Sequence, residues 1–295
     1  MLDERGALEL ITTVPRWADA SAVTGLRPLA GGLTNQSFTF ERDGEPYVLR
    51  VNGANAAVLG IDREAEFAAA TAAGAAGVGP EVIHCFRPDG HLVRRYTPGR
   101  PADWPDLTGD HLARTTDLLR RAHRLGPTSH TFDPIRDIRR RLSMAAAANV
   151  PLPPDTNALA DHATAIAGQH WSRPESDCGL CHVDPFASNF VIEEGTGRLL
   201  LVDWEFAGMG DVYWDLACTS IVLPDERKAE FLAAYFGAAP QGGLEKLLAI
   251  RTLMWTWNWT WAVLQAAGAD AQPTHATLRE DLLAAIRNQL PAGSK

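Results

Sequence analysis

No apolar run in this chain reaches the ~18 residues that a bilayer-crossing helix needs, so a membrane span is not expected. No basic stretch is long enough for a nucleic-acid surface. Arg136, Arg139, Arg140 and Arg141 read instead as the solvated face of one helix. A formal net charge of −9 points the same way: it repels nucleic acid and favours a cationic small partner. The phosphate-binding signatures Gly-x-Gly-x-x-Gly and Gly-Lys-Ser/Thr are both missing around the glycine pair Gly31-Gly32, which argues against dinucleotide and P-loop folds. Cysteine is scarce, with four in 295 residues. Cys178-x-x-Cys181-His182 has the spacing of a haem attachment, but it has no second Cys pair to close a zinc site. Haem attachment belongs outside the cytoplasm. The first residues, Met1-Leu2-Asp3-Glu4-Arg5, are charged with no apolar core behind them, so a cytoplasmic chain with reduced thiols is expected. There is no internal repeat and no low-complexity tail.

What is present is a spacing that carries chemistry. Cys181-His182-Val183-Asp184-Pro185 is followed by Asn189, giving His-x-Asp-x-x-x-x-Asn. The apolar run Leu199-Leu200-Leu201-Val202 then ends in Asp203. Transfer of a phosphoryl group to a hydroxyl needs one carboxylate at the acceptor O–H. It also needs a carboxylate and an amide oxygen to hold Mg²⁺ against nucleotide phosphates. Asp184 and Asn189 have the separation of a kinase catalytic loop, and Asp203 at a strand end suits the metal. Each residue alone is more simply a turn former. Together, and in this order, they point to phosphoryl transfer.

The preceding residues form strand-like runs at 26–29, 36–40, 47–51, 82–86 and 91–95, with a helical pattern over 61–76. Asp43-Gly44 and Pro88-Asp89-Gly90 mark turns. Residues 97–101, rich in Pro and Gly, read as a linker. Beyond it helices are expected at 108–125, 134–148, 155–170, 211–222, 225–236, 242–266 and 275–290, interrupted by the loop and strands around 179–203. The expected architecture is α+β, with a small antiparallel sheet and one main helix in residues 1–97 and a larger helical lobe in 98–295.

Gly31 and Gly32, with Thr34 and Asn35, sit between the first two strands. Glycines there let backbone N–H groups approach a phosphate. Arg50 is the one cation in an apolar strand and needs a carboxylate partner, which Glu64 or Glu66 on the next helix can supply. Glu205 is either a second metal carboxylate or a solvated turn residue. Asp211 suits a helix N-cap, and Asp215 a structural brace for the 182–184 backbone.

These residues resemble the choline/ethanolamine kinases of the bacterial branch, within the wider aminoglycoside-phosphotransferase-like kinases. The resemblance rests on Gly31-Gly32-Leu33-Thr34-Asn35, Tyr47-Val48-Leu49-Arg50-Val51 and Arg63-Glu64. It also rests on the 181–190 loop and on Val202-Asp203-Trp204-Glu205 with its continuation to Ala217. It implies a protein-kinase-like two-lobed fold, ATP and Mg²⁺ as cofactors, and a small amino alcohol as acceptor. By match, Asp184 is the base, Asn189 and Asp203 bind metal with Glu205 accessory, His182 is a brace, and Glu64 partners Arg50. The family commonly has Trp-x-x-Trp before an apolar-Gln run. Here Trp261 fits, but Asn258 stands at the first Trp. Trp257 and Trp261 share a helical face with Asn258 and Gln265, and this face is expected to meet the substrate ammonium, with Trp255 and Trp259 facing the core; the alternative is that all four tryptophans are core. A kinase for another alcohol, such as thiamine or an aminoglycoside, and an inactive kinase-fold binding protein are the rival readings. The sequence is silent on oligomeric state.

Overall fold

The structure is a computed structural model and describes residues 2–15, 17–29, 35–53, 59–171, 177–268 and 271–290. It divides into two compact units that interleave along the chain: residues 1–130 with 184–208, and residues 131–183 with 209–295. Among the described residues no helix is long and apolar enough to cross a membrane.

The first unit holds a five-stranded sheet in the order β1-β2-β3-β5-β4. Its strands are β1 Val23–Leu29, β2 Gln36–Arg42, β3 Glu45–Val51, β4 Val82–Phe86 and β5 His91–Arg95. All neighbouring strands are antiparallel, and the β2–β3 and β4–β5 pairs are joined by tight turns where Asp43-Gly44 and Asp89-Gly90 supply the backbone freedom. β1 begins three residues before its apolar pattern does, because a register shift between Thr24 and Arg27 absorbs Gly25 at φ +62°.

Period-two patterning gives the sheet two different faces. Phe38, Phe40, Tyr47, Leu49 and Val93 pack with Ala7 and Ile11 of α1, Glu4–Thr12, into one core. On α2, Arg63–Ala75, the residues Ala65, Glu66, Ala69, Ala70 and Ala73 are buried, leaving its other side to solvent. Asp62 caps α2 by accepting from the Glu64 and Ala65 N–H groups, both at 3.0 Å.

Residues 97–101 are not a plain linker. Gly99–Pro101 forms β6, which pairs with β8, Phe190–Glu193, and β8 pairs with β9, Leu199–Leu201. The glycine signal had a different cause: a Cβ at residue 99 would run into the Ile192 carbonyl oxygen, so only glycine allows the strands to close. That pairing, with α3 (Leu112–His123), draws residues 98–130 and 184–208 into the first unit. The grouping therefore differs from a division at residue 97.

The second unit is helical, with a two-stranded sheet of β7, Cys178–Cys181, and β10, Gly208–Asp211. Its helices are α4 Pro134–Ala147, α5 Thr156–His170, α6 Tyr213–Thr219, α7 Asp225–Phe236, α8 Gly243–Ala267 and α9 Pro273–Arg287. The 25-residue α8 is apolar nearly all round, so it becomes the hub on which α4, α5, α6 and α9 pack. Arg141, read from sequence as solvated, is fully buried against it.

Candidate active site

In the first unit, β3 delivers Arg50 to the α2 side of the sheet. It is 8% exposed and donates to Glu66 of α2 and, at 2.6 Å, to Asp203. The partner is Glu66, which corrects the sequence assignment to Glu64. Glu66 is 1% exposed and lies on the buried side of α2, whereas Glu64 points to solvent and takes a bidentate pair from Arg87, 2.7 Å at each contact. Helical phase decides it: residue 66 falls in line with Ala69, Ala70 and Ala73, and residue 64 does not.

Arg63, which entered the sequence reading only as part of the Arg63-Glu64 match and without a role, extends the network. It reaches Glu66 at 2.7 Å and Glu205 at 3.5 Å, and the Asn35 amide donates to Glu205 at 3.0 Å. Burial alone would lower the pKa of Arg50, but Glu66, Asp203 and Glu205 outweigh it and hold the guanidinium firmly charged. Burial, with Asp203 adding to it, pushes the Glu205 carboxyl up to about 7.

Asp203 follows β9 by two residues and has φ +68°, a left-handed conformation uncommon outside glycine. Asn189 ends a single 3₁₀ turn, Ala187–Asn189. Its amide donates to both the Asp184 carbonyl and the Asp184 carboxylate, each at 2.8 Å. Arg50, Glu66, Asn189, Asp203 and Asn35 line one cavity of about 210 Å³, with Ser37, Leu92, Arg94 and Trp204 also on its wall. Gly31, Gly32 and Thr34 lie outside the described residues.

In the second unit, Asp215 of α6 is fully buried and accepts from the His182 and Val183 N–H groups at 2.7 and 2.9 Å. Val183 has φ +75°, costly for a β-branched residue, and these two bonds to a carboxylate hold it there. His182 is also fully buried. Asp211 accepts from the Tyr213 N–H at 3.0 Å at the start of α6 and pairs with Lys246 at 2.7 Å.

The tryptophans of α8 separate differently from the pattern expected. Trp259 is core, packed with Ala145, Leu159 and Ile286. Trp257 is core as well, 3% exposed, so its expected place in substrate binding is corrected. The Arg141 guanidinium lies 3.9 Å from its ring centroid, its indole N–H donates to Asp137 at 3.2 Å, and Phe132 and Trp214 meet it edge-on. The position a ligand cation would take on that ring belongs to Arg141. Trp261 stays half-exposed, edge-on to His275.

A cation braced by a helix carboxylate and a strand-end aspartate, with an Asp–Asn pair in the same unit, is the constellation of a protein-kinase-like phosphotransferase. Residues 25–250 match the model of the phosphotransferase enzyme family, and the chain belongs to that family. It is a phosphotransferase acting on an alcohol. Comparison with curated proteins returns no match. Among solved structures, a choline/ethanolamine kinase family protein from Mesorhizobium loti is 26% identical, with a TM-score of 0.76 over 97% of this chain and 94% of that one. The choline kinase LicA from Streptococcus pneumoniae is 19% identical, with a TM-score of 0.78 over 97% and 99% of the two chains. A thermostable mutant of an aminoglycoside phosphotransferase is 18% identical, with a TM-score of 0.62 over 94% and 98%. The last two likenesses concern fold alone.

Proposed function

We propose that the chain is an ATP- and Mg²⁺-dependent kinase that transfers the γ-phosphoryl group to the hydroxyl of a small amino alcohol, choline or ethanolamine. The observation that carries this is Arg50, held between Glu66 and Asp203 on the wall of a cavity that Asn189 also lines. Fixed on both sides, its remaining donor edge is presented to phosphate oxygens with little rotamer freedom left to lose. Asp184 accepts or orients the acceptor hydroxyl proton, and the Asn189 amide fixes its carboxylate for that role. Asn189 and Asp203, with Glu205 accessory, would hold Mg²⁺. They are hard oxygen donors, and the crowding of Glu205 against Asp203 is a repulsion that a divalent cation relieves. Bound Mg²⁺ supplies charge neutralisation at the phosphates.

The likeness to the choline/ethanolamine kinase family protein from Mesorhizobium loti supports the acceptor class. With Trp257 covered by Arg141, Trp261 is left as the half-exposed ring of that face, and Asn258 stands beside it on the helix. One ring and an amide suit a primary ammonium, which donates hydrogen bonds, better than a trimethylammonium, which has none to donate. That observation favours ethanolamine of the two. The test is ATP consumption by the purified chain with choline, ethanolamine, thiamine and an aminoglycoside, with and without Mg²⁺. Turnover of thiamine or the aminoglycoside alone would refute the acceptor class.

A further inference from the structure

The register of β3 against β5 pairs Arg50 with Leu92 and Val48 with Arg94. Cross-strand partners share a face, so Arg94 stands on the same side of the sheet as Arg50, about 7 Å further along at ~3.4 Å per residue. Both arginines line the cavity that Asn189 and Asp203 complete. Their circumstances differ. Arg50 is spoken for by two carboxylates, whereas the Arg94 side chain makes no hydrogen bond or ion pair with any described residue. Its nearest charges are Arg50, which repels it, and Asp203, which attracts it from beyond pairing distance. Burial and Arg50 push its pKa down to about 10, so it is still a cation at neutral pH.

A sheltered cation without a partner, next to a second cation, costs folding free energy. Nothing on that face of the sheet requires it: Val48 and Leu92 beside it are apolar and buried. The arrangement makes sense when an anion arrives. A guanidinium matches a phosphate in a bidentate fork, and a phosphate chain lying against Arg50 brings its next oxyanions within reach of a second arginine ~7 Å away.

We propose that Arg94 is a second phosphate-binding residue of the nucleotide cavity, holding a non-transferred phosphate of the bound nucleoside triphosphate. The inference rests on the nucleotide reading given under Proposed function. It makes two linked demands: Arg94 strengthens binding of the phosphate chain, and it weakens the empty protein. A purely structural arginine would do neither.

The test uses the full chain as wild type, Arg94→Met and Arg94→Lys, with thermal unfolding and calorimetry against MgATP and adenosine. Arg94→Met is expected to raise the unfolding midpoint of the empty protein and to weaken MgATP about tenfold or more, while adenosine affinity changes less than twofold. Arg94→Lys, which keeps the charge without the fork, is expected to recover part of the MgATP affinity. Unchanged MgATP affinity in folded Arg94→Met overturns the inference. So does an equal loss for MgATP and adenosine, which would place the contact on the nucleoside, and so does a lowered midpoint in the empty protein. A wild type that fails to bind MgATP overturns the nucleotide reading itself, whereas a wild type that binds and a variant that binds equally overturn only the role of Arg94.

Discussion

Truncating Glu66 is expected to be the most damaging single change in the first unit outside its apolar core. The Glu66 side chain is 1% exposed and accepts from Arg50 and, at 2.7 Å, from Arg63. Glu66→Ala therefore leaves two sheltered guanidiniums short of a carboxylate. Arg50 keeps Asp203, but that carboxylate is 35% exposed and its attraction is screened, and Arg63 keeps Glu205 only at 3.5 Å. Breaking a buried pair from one side costs ~3–5 kcal/mol, and the residual partners place this site near the low end, ~3 kcal/mol. Arg50→Met removes the opposite member. Glu66 then retains Arg63, so the loss is that of one charged hydrogen bond, ~2 kcal/mol. In the double variant no charge of the pair is stranded, and the loss should fall short of the sum by ~1–2 kcal/mol, the size of coupling seen between contacting residues. Urea unfolding at unchanged slope supplies the four free energies of the cycle. Glu64→Ala is the control. Its pair with Arg87 is 61% and 60% exposed on the two sides, and surface changes of this kind stay within ~0.5 kcal/mol. Additivity within ~0.5 kcal/mol, or a Glu64→Ala loss equal to that of Glu66→Ala, would refute the pairing.

Asp184→Asn is expected to lower kcat by ~10²-fold or more with MgATP affinity kept, and a variant retaining most of its kcat would remove Asp184 as base. Asp203→Ala should abolish turnover together with the Mg²⁺-dependent part of nucleotide affinity, read by calorimetry with and without the metal. Trp261→Ala should raise KM for the amino alcohol about tenfold, ~1.4 kcal/mol, with a smaller change in KM for ATP. Arg287 holds Asp155 below the usual carboxylate range through contacts of 2.6 and 2.7 Å. A depressed carboxyl stabilises the fold above its unfolded pKa and loses that stabilisation as the pH falls through its folded one. Arg287→Leu should therefore lower the unfolding midpoint at pH 7, and the gap should close as the pH falls through the depressed pKa of the folded Asp155 carboxyl.

The sheet was readable because each strand is short, apolar on alternate residues and bounded by Asp-Gly or Pro-rich turns, which are local signals. The Asp184–Asn189 contact was readable for the same reason, since the two residues meet within one loop and their separation is written in the chain. The Arg50 partner required phase. Glu64 and Glu66 are both acidic, both in the first turn of α2 and only two residues apart, and composition cannot separate them. The apolar stripe can: Ala65, Ala69, Ala70 and Ala73 mark the buried side, and Glu66 lies within it. Arg94 had no such mark. It sits in Arg94-Arg95, an ordinary strand end to the eye, and only the register against Val48 puts it on the face with Arg50.

The α8 tryptophans show where periodicity runs out. A helix wheel separates Trp257 and Trp261 from Trp255 and Trp259, but it orients a helix only when one side is polar. α8 has polar groups that are themselves buried. Thr252, Thr256 and Thr260 return their hydroxyls to carbonyls within the helix, and Asn258 does the same with its amide. Asn258 itself is half-buried, so a polar residue on this helix does not by itself mark an open side. Arg141 misled in the opposite direction. Four arginines within six residues of α4 read as a charged face, yet 100° per residue turns one of them inward. It is kept there by the Trp257 carbonyl at 3.0 Å and by the Trp257 ring, which compensate a buried cation in a way that no count of charges along α4 could anticipate. The same contact that hid Arg141 from the sequence also removes Trp257 from the substrate, so the two corrections have one physical cause.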